Sequence, residues 1–299
     1  MDNLDERMLH RIIKRYPLRI TPYYISLCKQ PLTLSDPILR QCLPSIDEIT
    51  DSRNESDPFD EEKRQPVSGL ICRYPGRALI LVNNVCATFC RFCSRKRILG
   101  KRGFPPIYST LPAIIDYLKT NKSIYDIILS GGDSLMLSTK TLKTVLESLS
   151  KIKSIKLIRI ASRVPVTMPM KLFDKDLLDT LSGYDRIWLI THFNHPLEVT
   201  PISKEAVRNI KRLGIPIQNQ SVLLRGVNDK LSIQKSLNKR LLGLGIRPYY
   251  LFHCDPVKGV THFATSFDTD QMIYNSLKRC ISGLGVPFYV IDDKHGKRF

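Results

Sequence analysis

Ala78-Leu79-Ile80-Leu81-Val82-Asn83-Asn84-Val85 runs directly into Cys86-Ala87-Thr88-Phe89-Cys90-Arg91-Phe92-Cys93. The opening apolar run, 78–82, has the composition of a buried strand and only a strand's length. The following residues carry three cysteines at C-x3-C-x2-C spacing, which lets one tight loop converge three thiolates on a metal centre. Structural zinc takes four protein ligands, and catalytic zinc takes three with an open position. No fourth Cys or His lies near the run, and the next cysteine is Cys254. A [4Fe–4S] cluster normally takes four thiolates. Three thiolates leave one iron without a protein ligand, free to bind something exogenous.

Downstream, apolar runs alternate with amphipathic stretches. Strands are expected at 78–85, 125–129, 157–160, 187–190, 215–218, 249–252 and 287–291, and helices at 110–120, 139–151, 203–213 and 233–242. From the second strand on, starts recur about every 30 residues, the size of a βα unit. Alternation of this kind argues a parallel sheet with helices outside. Six units suit an α/β fold of the partial (β/α)6 TIM-like barrel type, with an N-terminal helical extension and a short C-terminal strand segment.

Polar or unusual residues stand where each expected strand ends. After the Cys loop come Ser130-Gly131-Gly132-Asp133, Ser162-Arg163, Thr191-His192-Phe193-Asn194-His195, Asn219-Gln220-Ser221, His253-Cys254-Asp255 and Asp292-Asp293. The carboxyl ends of barrel strands are where active sites are built. The glycines let a backbone approach a ligand closely, and Asp133 is a candidate acceptor for an ammonium. Arg73 and Arg77 flank Tyr74-Pro75-Gly76, and guanidinium groups bind phosphate bidentately.

The flanks are plainer. Leu4, Met8, Ile12 and Ile13 recur at helix spacing, 31–37 is turn-rich, and Asp36-Pro37-Ile38-Leu39-Arg40 reads as a helix start. Residues 45–66 are strongly acidic and polar, the composition of an exposed loop. The domain reading is a helical region and acidic loop over 1–70, a barrel core over 71–260, and a C-terminal helix and strand over 261–299. The sequence has 299 residues, 46 Lys+Arg against 28 Asp+Glu, a net charge of +18 and 42% hydrophobic content, which fits a folded chain rather than a disordered one. The basic residues are spread along the chain, so nucleic acid is not the expected partner. No membrane span or secretory leader is read, and a cytoplasmic protein is expected. Of the eight cysteines, Cys28, Cys42, Cys72, Cys254 and Cys280 read as small buried hydrophobes.

The Cys loop, with aromatic Phe92 before the last cysteine, resembles the radical SAM signature C-x3-C-x-aromatic-C. Six ordered segments narrow the likeness: P-V-S-G-L-I-C-R-Y-P-G-R-A-L-I-L-V, L-S-G-G-D-S-L-M-L, I-R-I-A-S-R-V-P-V, T-H-F-N-H-P-L-E-V-T, N-Q-S-V-L-L-R-G-V-N-D and P-Y-Y-L-F-H-C-D. Over about 57–292 they resemble the lysine 2,3-aminomutase family. That resemblance implies a [4Fe–4S] cluster on Cys86, Cys90 and Cys93, S-adenosylmethionine on its open iron, and pyridoxal 5′-phosphate (PLP). It implies that Ser130, Gly131, Gly132, Asp133, His192 and Gln220 surround S-adenosylmethionine. Arg73 and Arg77 would hold the PLP phosphate, Arg95 the substrate carboxylate, and Asp255 with Asp292 the side-chain ammonium of lysine. The family's PLP lysine follows a P-G-G-G-G-K pattern, whereas this chain reads Y-V-I-D-D-K-H-G-K-R-F. Lys297 is the best match, with Lys294 as its rival.

The reaction implied is 2,3-migration of the amino group between L-α-lysine and β-lysine, an isomerisation, with an electron donor such as flavodoxin or ferredoxin. A homo-oligomer is compatible with the resemblance. Two alternatives stand beside it: an aminomutase serving the lysine modification of elongation factor P, and a radical SAM RNA-modifying enzyme.

Overall fold

The computed structural model describes residues 6–33, 35–51 and 54–299. Leu4, part of the N-terminal helical periodicity, lies outside the described residues. Three helices, α1 (Glu6–Arg15), α2 (Pro22–Ile25) and α3 (Asp47–Thr50), precede the sheet. The sheet is formed by β1 (Leu70–Tyr74), β2 (Arg77–Asn83), β3 (Asp126–Gly131), β4 (Leu157–Ala161), β5 (Ile187–Thr191), β6 (Ile217–Val222), β7 (Arg247–Phe252), β8 (Phe288–Asp293) and β9 (Gly296–Arg298). Between or after its strands run α4 (Ile107–Thr120), α5 (Thr139–Ser150), α6 (Val164–Thr167), α7 (Lys175–Ser182), α8 (Pro201–Arg212), α9 (Leu231–Gly243) and α10 (Phe267–Cys280).

The strands pair in chain order, β1 to β9. All neighbours from β2 to β8 are parallel, and an antiparallel hairpin closes each edge, β1 on β2 and β9 on β8. Among the described residues the two edges do not pair, so the barrel is open, as the count of six βα units implied. The reason for the architecture is in the strands: Ile80, Ile127, Leu129, Ile158, Ile160, Leu189 and Leu251 are buried in them, and Ile114, Leu146, Leu181, Ile210 and Leu241 bury helix faces against the sheet. Among the described residues, no helix is long and apolar enough to cross a membrane.

Several expectations change. No strand was expected at β1 or β9; each is short and gains its partner only by folding back on a neighbour. Gly76, at φ +74°, makes the first of these turns. Strand β6 runs to Val222, so Asn219, Gln220 and Ser221 lie inside it rather than beyond its end. Asn219 and Ser221 are buried, and Gln220 faces the interior of the barrel mouth. The helix start at Asp36 is a short 3-10 turn, Leu39–Gln41; Asp36 Oδ1 accepts from the backbone N–H groups of Ile38 at 2.8 Å and Leu39 at 2.9 Å. Cys72 and Cys280 are half-buried, whereas Cys28, Cys42 and Cys254 are buried; all eight cysteines are free.

The largest departure is the acidic stretch. Within 45–66, Glu48, Asp51 and Glu61 are buried, at 0%, 8% and 1% exposure. Glu48 pairs with Arg91 at 2.7 Å and Lys96 at 2.8 Å, both cations buried as well. Polar composition misled here because the partners lie in the Cys loop, more than 40 residues away.

Candidate active site

Two adjoining cavities of about 290 and 200 Å³ lie in the barrel; the smaller sits at the carboxyl ends of the parallel strands, and the larger reaches from there down to Arg77, the first residue of β2. They share Arg95, Ser130, His192, Gln220 and Asp255 in their walls. The smaller is lined by Cys86, Cys90, Cys93, Gly131, Gly132, Asp133 and Arg163. The larger is lined by Arg73, Arg77, Arg159, Asp292 and Lys297. Every site residue expected from the sequence therefore lies on one or both cavities.

The thiol loop is fixed from behind by the N-terminal segment. Phe89 N–H donates to Arg19 O at 2.8 Å, and Arg91 N–H to Gln41 O at 2.9 Å. The Arg91 side chain forks onto Glu48, at 2.8 and 2.7 Å, and also reaches Pro17 O at 3.0 Å. Lys96 Nζ donates to Glu48, Arg91 O and Gly259 O, and lies 4.1 Å from the Tyr16 ring centroid. Alternate residues of the loop thus grip the scaffold while the cysteines face the cavity. Burial pushes the Cys93 thiol up to about 11, and the Cys86 thiol upward as well. A bound metal ion would be needed to hold such thiols as thiolates at neutral pH. Among the described residues no three His, Cys, Asp or Glu side chains gather as a single ion requires.

Gly131 and Gly132 have a clear local cause. A Cβ on Gly131 would stand 2.3 Å from Asn83 O, and one on Gly132 would stand 2.4 Å from Val85 O. The close approach is thus to the backbone leading into Cys86, sealed by Gly132 N–H to Asn83 O at 2.7 Å and Asp133 N–H to Val85 O at 2.8 Å. The Asp133 carboxylate is already occupied: it accepts from Leu135 N–H at 3.0 Å, Ser162 Oγ at 2.6 Å and Arg163 N–H at 2.6 Å. It ties the ends of β3 and β4 together, and burial still pushes its pKa upward. His192 is kept neutral, its pKa lowered to about 3 by burial and by the Arg163 charge, and its Nε2 lies 2.9 Å from Asn194 Oδ1. Thr191 Oγ1 is buried on this cavity's wall with no hydrogen-bond partner among the described residues.

In the larger cavity, charges neutralise one another. Arg73 donates to both Asp292 oxygens, at 3.3 and 2.9 Å, and to Asp293 O at 2.6 Å. Tyr74 Oη adds a bond to Asp292 at 3.2 Å. Arg95 forks onto Glu61, with its Nη2 at 2.6 Å from Oε1, and its Nη1 reaches Ser130 Oγ at 3.2 Å. Glu61 also holds Arg97 at 3.1 Å. Asp255 differs: burial, then the nearby Asp292 charge, raise it to about 7. Lys297 Nζ lies 4.4 and 5.2 Å from the Tyr250 and Phe252 ring centroids, and its pKa falls to about 8 through burial, with Arg159, Arg77 and Arg73 opposing the pull of Asp292. Lys294 is exposed and off the cavity wall.

Sequence reasoning gave no role to Glu61, Arg159 or Arg163. Glu61 was hidden in a polar stretch. Arg159 lies in mid-strand, where an arginine inside an apolar run was itself a signal; it pairs with Asp126 at 2.8 Å. Arg163 stood in the strand-end set without a role.

The comparisons with known proteins agree with this geometry. Residues 80–231 match the family model of the radical SAM superfamily. The chain is 41% identical over 296 residues to the L-lysine 2,3-aminomutase of Methanococcus maripaludis, covering 99% of this chain and 68% of that protein. It is 36% identical over 292 residues to the glutamate 2,3-aminomutase of Clostridioides difficile, covering 98% and 69%. Among solved structures, Streptococcus suis SuiB bound to S-adenosylmethionine shares the fold at TM-score 0.54 and 12% identity, over 73% of this chain and 51% of that one. With thiol loop, open barrel and relatives that match nearly all of this chain in agreement, the chain belongs to the lysine 2,3-aminomutase family of the radical SAM superfamily and is an isomerase.

Proposed function

We propose that this protein moves the α-amino group of L-lysine to C3, using a [4Fe–4S] cluster on Cys86, Cys90 and Cys93, S-adenosylmethionine in the thiol cavity and PLP in the larger one. The observation that carries the reading is the pair of cavities meeting at Arg95, Ser130, His192, Gln220 and Asp255. One holds the donor set for an iron–sulfur cluster; the other holds a low-pKa lysine among arginines and aspartates. The residues fit the groups. The unpartnered Thr191 Oγ1 supports a polar ligand beside the thiols. Arg73 and Arg77 line the same cavity as Lys297 and would hold the coenzyme phosphate, Arg73 exchanging Asp292 for it; Arg159 stays paired with Asp126. When bound, the cluster and S-adenosylmethionine supply a hydrogen-abstracting radical, and PLP supplies a carbonyl that carries the migrating nitrogen.

The chain's own residues do the rest. Lys297, near pKa 8, reaches its neutral nucleophilic form close to physiological pH. In this reading, Arg95, steadied by Glu61 and Ser130, binds the amino acid's carboxylate. Asp255, near pKa 7 alone, ionises fully when the substrate's terminal ammonium arrives, and Asp292 shares that contact. Ala161, Ile190 and Val222, which wall both cavities, limit water between them. A one-electron donor of the flavodoxin or ferredoxin type would reduce the cluster.

The test is anaerobic incubation of reconstituted protein with L-lysine, S-adenosylmethionine, PLP and dithionite, read by amine chromatography beside an L-glutamate control. β-Lysine should appear, and Cys86→Ala, Cys90→Ala and Cys93→Ala should each abolish it together with the cluster's visible absorbance. Turnover of glutamate but not lysine would overturn the substrate, and turnover by an iron-free triple variant would overturn the chemistry.

A further inference from the structure

The three thiols do not have equal surroundings. Cys90 Sγ accepts from Arg163 Nη1 at 2.9 Å. Cys93 Sγ accepts a backbone N–H, that of Arg95, at 3.3 Å. No described residue donates to Cys86 Sγ. A full positive charge therefore touches one ligand sulfur, and Cys90 otherwise packs against an apolar cluster containing Phe92, Leu224 and Val227. In such low-dielectric surroundings a charge acts strongly.

Arg163 is also immobilised beyond what packing needs. Its Nη2 donates to Gln41 Oε1 at 2.6 Å, Glu198 Oε1 at 2.8 Å and Tyr24 Oη at 3.0 Å, and its Nε donates to His192 O at 3.1 Å. Its guanidinium carbon lies 5.4 Å from the ring centroids of both Tyr24 and Phe92. Glu198 supplies the counter-charge from the far side and is saturated itself, accepting backbone N–H groups of Asn194 at 2.6 Å and His195 at 3.0 Å on its other oxygen. The charge nearest the sulfur is thus the cation, held in one orientation.

We propose that Arg163 is a positioning residue that sets the reduction potential of the cluster by donating to Cys90 Sγ; the inference rests on the cluster reading above. Reduction adds one electron from the external donor to the cluster, with no bond made or broken. A cation hydrogen-bonded to a ligand sulfur stabilises that added negative charge and raises the potential. Weak electron donors can then reduce the cluster before S-adenosylmethionine is cleaved.

The experiment compares full-length wild type, Arg163→Gln and Arg163→Lys after anaerobic reconstitution. Iron and sulfide per chain, the thermal midpoint and an EPR-monitored redox titration are measured for each. Arg163→Gln should load iron like wild type while its reduction equilibrium shifts at least tenfold toward the oxidised form, about 59 mV for one electron. Arg163→Lys, which keeps the charge but not the fork, should shift less in the same direction. A fully loaded variant with the wild-type potential overturns the proposal, as does a folded variant that binds no iron, which would make Arg163 an assembly residue. If Arg163→Gln does not fold, Arg163→Lys decides by the same criterion. Wild-type protein that holds no iron would instead refute the cluster reading on which the proposal stands.

Discussion

The thiol cavity and the arginine–lysine cavity share a wall but follow opposite electrostatic plans. Around the thiols, the charges are paired permanently and deeply. Glu48 is fixed by Arg91 and Lys96, Glu198 by Arg163, and Asp133 by two donors from the neighbouring strand end and one from its own loop. Around Lys297, the pairs Arg73–Asp292 and Arg95–Glu61 stand at the cavity surface, and at Asp255 burial and the Asp292 charge outweigh the pull of Arg95, His253 and Arg73. The first plan builds a rigid socket whose form does not depend on what fills it. The second keeps charges that exchange an internal partner for a ligand's. A cluster must be held in one place, whereas an amino acid must enter and leave.

Three measurements would break or sharpen that contrast. The largest effect is expected from Lys297→Ala, which should abolish turnover and the visible absorbance of bound PLP while leaving the iron content intact. Lys294→Ala, a change on the exposed side of the β8–β9 turn, should leave both in place; the reverse pattern would move the anchor to Lys294. Second, Glu48→Gln leaves Arg91 and Lys96 buried without a counter-ion and should cost about 3–5 kcal/mol of stability. Denaturant unfolding would show it, and a loss below about 1 kcal/mol would mean the triad is not what fixes the loop.

The third and smallest effect concerns Asp255→Asn and pH. The folded-state pKa of Asp255, about 7, lies above its ordinary value of 3.8. Between those values the unfolded chain releases the proton before the folded one does, so the unliganded protein loses stability as pH rises through this window. Asn carries no such penalty. The thermal midpoint of the variant should therefore exceed that of wild type by a few degrees at pH 8 and match it near pH 4. A difference independent of pH would mean that Asp255 is compensated by a partner. Saturating L-lysine should narrow the gap by raising the midpoint of wild type alone.

Much of this molecule could be read in advance, and the reasons differ by region. Most of the parallel strands were legible because they carry apolar runs, although β6 (I-Q-N-Q-S-V) continues through polar residues and was placed only in part; the thiol loop was legible because cysteine spacing is a local property. Lys297 could be singled out only by resemblance. That it outranks Lys294 in geometry follows from the β9 hairpin, which turns Lys297 inward over Tyr250 and leaves Lys294 in solvent. The acidic stretch misled because a run of Glu and Asp looks the same whether it faces water or a distant arginine.

The order of residues alone determined most of the alternation of strands and helices, the gathering of three cysteines in one loop and the side of the barrel on which polar groups collect. These follow from periodicity and short-range spacing, which act over a few residues. The tertiary structure alone decided which polar groups meet: Glu48 with Arg91 and Lys96, Glu61 with Arg95, Arg163 with the Cys90 sulfur. Such pairs join positions 34 to 73 residues apart. Their energy depends on burial and on distances of a few ångströms, quantities that exist only once the chain has closed around them.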